Sequence, residues 1–148
     1  MNLIYVVVAV LAGVMFAVQP AVNENVGRSL NHPIQAAFVS FLVGTIILLI
    51  LNFALGLELP STEKLVAIPK WLWLSGGAIG AVVVTAAIAI QIKIGAGVWI
   101  SCFVFGQLVM SMLIDNYGWL GLPIHPINPM RAIGAFLLAI GAILVAVY

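Results

Sequence analysis

Apolar positions along this chain come in five long runs separated by short polar breaks, and apolar and polar residues nowhere alternate at a period of two. About twenty residues rising about 1.5 Å each cross the roughly 30 Å hydrocarbon core of a bilayer as a helix. A membrane barrel would instead show short alternating segments. The pattern predicts helical spans over about 3–30, 34–55, 70–92, 95–115 and 130–147, all within a single membrane domain over 1–148. The fold class expected is all-α, an integral membrane helical bundle of five transmembrane helices.

The breaks carry their own signals. Asn31, His32 and Pro33 make a short turn, because the residue before a proline leaves the helical region and the proline can start the next helix. Residues 56–69, with Glu58, Glu63, Lys64 and two prolines, read as an aqueous loop with a possible cap at Ser61 or Thr62. Lys70, Trp71 and Trp73 then open the third span with residues that anchor at the headgroup level. The stretch after Asp115 holds Pro123, Pro126 and Pro129 among aromatics and His125; it is expected to lie at the interface or fold back over the bundle. Met1 and Asn2 lead into the first run without a Lys or Arg, so no cleavable signal peptide is expected.

The polar residues inside the spans change the picture from anchor to candidate machine. In the first span Met15, Gln19, Asn23 and Gly27 recur at four-residue steps and share one face, beside a kink expected at Pro20. In the fourth, Phe103, Gln107, Ser111 and Asp115 do the same. Two readings stand for Gln19, Asn23, Gln107 and Ser111. They bond across to neighbouring helices, or they are the hydrogen-bonding groups of a substrate pocket with Met15, Trp99 and Phe103 as walls, suited to a small amphipathic or cationic solute. Glu24 and Asp115, near span ends, are the coupling candidates, against a structural role; Glu24 stands four residues before Arg28, the favourable order for a helical ion pair. The uncharged amide at Gln19 favours a neutral, uniport-like site over proton antiport. Gly44 (with Ser40), Gly76, Gly80, Gly134 and Gly141 are expected to let helices approach closely.

Composition excludes most other classes. With 65% hydrophobic and 6% charged residues the chain is far from a soluble domain, in which about a quarter of residues are charged. A net charge of +1 suggests no nucleic-acid partner. Cys102 stands alone inside a span, the two histidines lie in separate loops, and no phosphate-binding loop or metal-ligand spacing occurs, so no enzyme activity, cofactor or metal site is expected. Lys64, Lys70 and Arg131 fall on one side and Arg28 and Lys93 on the other, too even a split for the positive-inside rule to choose an orientation. Such a chain can insert both ways and pair with itself antiparallel, rebuilding from two copies the inverted repeat many transporters carry in one.

An ordered set of motifs resembles one family. Q-P-A-x-N-x-x-x-G (Gln19, Pro20, Ala21, Asn23, Gly27), S-F-x-x-G (Ser40, Phe41, Gly44), G-Q-L-x-x-S with I-D-x-x-G (Gly106, Gln107, Leu108, Ser111, Ile114, Asp115, Gly118) and R-x-x-G (Arg131, Gly134) are similar to the YdcZ-like proteins of the drug/metabolite transporter superfamily. Asn116 and Tyr117 depart from the histidine and phenylalanine more usual there. The resemblance implies a short, multi-pass, bacterial inner-membrane protein of dual topology, half of an inverted-repeat transporter. The function expected is transport of a small solute by an antiparallel homodimer through alternating access, with the lipid bilayer and a second copy of itself as partners. A small channel and a structural or assembly subunit without transport are the alternatives.

Overall fold

The computed structural model describes residues 3–148 as helices α1 (Leu3–Leu30), α2 (Pro33–Ala54), α3 (Thr62–Ala67), α4 (Lys70–Ile94), α5 (Ala96–Tyr117) and α6 (Pro129–Val147), with one 3₁₀ turn at Trp119–Gly121. Among the described residues there is no strand, and α1, α2, α4, α5 and α6 are each long and apolar enough to span a bilayer. The protein is an all-α membrane bundle. Residues 56–69, read from sequence as an aqueous loop with a possible cap at Ser61 or Thr62, contain the short helix α3, capped by the Ser61 hydroxyl accepting from the Lys64 N–H, and its Val66 is exposed beside exposed Ile68. Six residues make little more than one turn, too short for an apolar period to announce it, so the cap at Ser61 is its only sequence signal.

Local chemistry sets the helix ends. Pro33 and Pro129 each stand at the first turn of a helix, where the missing N–H is no loss, and the residues before them act as caps. His32 Nδ1 accepts from the Ile34 N–H at 3.2 Å, and Asn128 Oδ1 accepts from the Arg131 N–H at 2.9 Å. A single residue, Gly95 at φ 88°, separates α4 from α5, and Gly118 at φ 63° closes α5; both conformations favour glycine.

Two compact units divide the chain, Met1–Ile92 and Lys93–Tyr148. In the first, Asn23 lies against Ser40, and a side chain at Gly27 would meet Ala36 and Ile88 at 3.5 and 3.4 Å. The tip of Phe41 lies against Gly80, within 3.1 Å of where a Cβ would stand. Rising numbers on α1 therefore meet falling numbers on α2, and rising numbers on α2 meet falling numbers on α4. Hence α2 is antiparallel to both. The buried cluster at this crossing is made of Ala36, Ala37 and Ile88, with Val26 and Val84 packed against it. Small residues suit it, because lipid tails are as apolar as a core and helices associate in a bilayer through close packing and hydrogen bonds.

In the second unit α5 and α6 pack antiparallel: Gly97 lies near Val145 at one end and Asp115 near Arg131 at the other. The segment between the helices folds back onto the end of α5. His125 N–H donates to the Asp115 carbonyl at 2.8 Å, and Ile127 N–H to Asn116 Oδ1 at 3.0 Å.

Candidate functional site

The register of the first unit places one polar cleft at mid-depth. Gln19, Ser40, Phe41, Gly44, Thr45 and Leu48 line a space of about 260 Å³ between α1 and α2. Gly44 stands at the middle of α2, and Gln19 lies within a turn of the middle of α1. A helix crossing the bilayer puts its middle near the midplane, so this cleft lies where the hydrocarbon is thickest on both sides.

Its hydrogen bonds are unevenly distributed. Asn23, one turn beyond Gln19, is only 7% exposed and donates from Nδ2 to Ser40 Oγ at 3.2 Å. Gln19 is exposed and makes no side-chain hydrogen bond among the described residues. The Thr45 hydroxyl donates to its own helix, to the Phe41 carbonyl at 2.8 Å, and Ser29, Ser75 and Ser101 use theirs in the same way. Ser40 differs, because it accepts from Asn23 and donates to no carbonyl of its own helix, which leaves its O–H free to turn into the cleft. Met15 continues the face of Gln19 and is 73% exposed, outside the cleft lining.

In the second unit the four-residue stripe of α5 runs from one end of the helix to the other. Trp99 and Phe103 stack with ring centroids 5.6 Å apart, and Gln107 with Ser111 lines a shallow groove alongside Val104, Leu108 and Met110. Gln107, at the middle of α5, and Ser111 are both exposed and carry no side-chain hydrogen bond among the described residues. The stripe ends on Asp115, whose Oδ2 accepts from Arg131 Nη2 at 2.5 Å. Arg131 Nη1 also donates to the His125 carbonyl at 2.7 Å, so one guanidinium joins α5, α6 and the returning segment. Glu24 is paired with Arg28 on α1. Both carboxylates in the spans are thus matched with an arginine at a helix end.

Of the glycines singled out for close helix approach, Gly80 stands opposite the Phe41 ring tip. A side chain at Gly44, Gly76, Gly134 or Gly141 would meet nothing within 4 Å, so these faces are open within each unit. The cleft also shows what spacing did not single out as site chemistry, namely Ser40 and Thr45. A hydroxyl in an apolar helix ordinarily satisfies itself on the preceding turn, and sequence carries no sign of those, such as Ser40 and Ser111, that do not.

Comparison with family models finds that residues 4–144 match the model DMT_YdcZ, described as "Putative inner membrane exporter, YdcZ". Neither the curated proteins nor the solved structures give a match.

Proposed function

We propose a function from one premise: the chain belongs to the DMT_YdcZ family of inner membrane exporters. It is accordingly a multi-pass protein of the inner membrane with a transport role. Our reading goes further: each chain is half of a transporter, two copies meet antiparallel, and a small solute is passed through a chamber between them by rocking of one half against the other.

The observation that carries this reading is the pair of exposed, unbonded amides at mid-depth, Gln19 in one unit and Gln107 in the other. A polar group facing hydrocarbon without a partner costs several kcal/mol on the order-of-magnitude scale for transfer to an apolar medium. Polar company, from a second copy or from water and solute, removes that cost. Ser111 widens the polar patch on α5, with Trp99 and Phe103 as apolar surface on the same helix; Met15 supplies apolar surface on α1 along the face of Gln19, and Asn23 positions Ser40 instead of facing the solute. Glu24 and Asp115 act as structural ion-pair partners. The near-even charge of the two faces supports insertion both ways.

A terminal tag probed from each side of the inner membrane tests the pairing. Comparable amounts on both sides are expected; a tag found on one side only would overturn it. The same protein in proteoliposomes is expected to lose most of its solute flux with Gln107→Ala, and unchanged flux would remove α5 from the pathway.

A further inference from the structure

The cleft between α1 and α2 has hydrogen-bonding groups but no charge. We propose that it is the seat of an uncharged solute, one with a hydroxyl, carbonyl or amide on an apolar body, and that Ser40 is the residue that selects for that group. This rests on the transporter reading above and narrows its substrate class.

Three features carry it. The first is electrostatic. The chain has four acidic residues, and none lines the cleft: Glu24 is held by Arg28, Asp115 is held by Arg131, Glu58 precedes α3 and Glu63 lies within it. A cation brought to mid-depth must shed water and find a counter-charge, and here no carboxylate is free to supply one. An anion fares no better, because neither Lys nor Arg lines the cleft.

The second is complementarity. Gln19 offers two N–H donors and one acceptor, and Ser40 keeps one O–H to give once its oxygen has accepted from Asn23. Donor and acceptor from opposite helices match a neutral group that can both give and take a hydrogen bond. Such groups discriminate once a solute covers them, since an analogue lacking the matching group leaves them unpaired.

The third is size. Phe41 forms one wall, and its ring tip already lies against the backbone of α4 at Gly80. The partly open space beside it, about 260 Å³, matches a small molecule in size.

The test uses the full chain in lipid nanodiscs and equilibrium dialysis with matched labelled probes: benzyl alcohol against benzylammonium, and benzamide against benzamidinium. A neutral member is expected to bind at least about tenfold more tightly than its cationic counterpart. Gln19→Leu and Ser40→Ala are each expected to weaken that binding about three- to tenfold, the range of one net hydrogen bond, and Ser40→Thr to restore it. Gln19 is exposed, so its variant does not depend on packing. Equal or tighter binding of the cations overturns the proposal, as does no binding by either neutral probe. It is also overturned if Ser40→Ala dissociates the dimer while binding persists, which would make the cleft the seat of the second copy's helix. Failed binding with tags on both sides of the membrane refutes this inference alone. Tags on one side refute the antiparallel reading and leave the dialysis result to stand by itself.

Discussion

Asn23 and Ser40 give the most direct measure of what fixes α1 against α2. The amide is 7% exposed and the bond is 3.2 Å long, at the outer edge of the usual N–H···O range. Hydrogen bonds between helices in a bilayer are worth about 0.6 kcal/mol on average, because the separated helices also find partners, and a long one belongs at or below that average. A double-mutant cycle of Asn23→Ala and Ser40→Ala is therefore expected to give a coupling of about 0.5 kcal/mol. Asn23→Ala alone should cost more, about 1–2 kcal/mol, since it also removes packed volume beside the Gly27 crossing. Reversible unfolding in bicelles, read by steric trapping, measures each corner of the cycle. A coupling near zero would mean that Asn23 and Ser40 do not meet in the membrane, and one above about 2 kcal/mol would exceed what this geometry allows.

Two further outcomes follow from contacts elsewhere. Asp115→Arg or Arg131→Asp alone is expected to loosen the segment 118–128 towards protease, while the double exchange restores part of the protection; with side chains 33% and 29% exposed, the pair contributes about 0.5–1 kcal/mol after screening, and no rescue would refute the clamp. Gly80→Val places branched carbons where the Cβ alone is 3.1 Å from the Phe41 ring, so it should destabilise the first unit by about 1–3 kcal/mol and shrink the cleft, with Gly80→Ala much milder; equal stability of wild type and Gly80→Val would refute the packing.

The spans were legible because the bilayer allows so little else: an apolar run of bilayer length has to be a helix that satisfies its own backbone. The turns at His32-Pro33 and Asn128-Pro129 were legible for a similarly local reason, the fixed φ of proline beside a capping side chain. Spacing also put Gln19 and Asn23 on one face, but could not separate them. Asn23 is buried on Ser40 and Gln19 is left unbonded because α1 meets α2 in one register, and no four-residue period encodes that choice. The glycines show the same limit. Gly76 and Gly80 carry identical spacing signals, yet only Gly80 faces an aromatic ring.

The distribution of charge ties these observations to function. An arginine beside each carboxylate of the spans keeps both signs near helix ends, where headgroups and water reduce the cost of charge. The middle of the bundle is left with amides and hydroxyls, which cost far less to bring into hydrocarbon than an ion and need only a neutral partner to be satisfied. A carboxylate at mid-depth would attract cations and invite protons, binding drive and substrate to one group. With Gln19 in that position the proposed site would recognise shape and hydrogen bonding without a carboxylate of its own, and on the proposed transporter reading an energy source would act through the motion of the halves and not through a charge in the cleft.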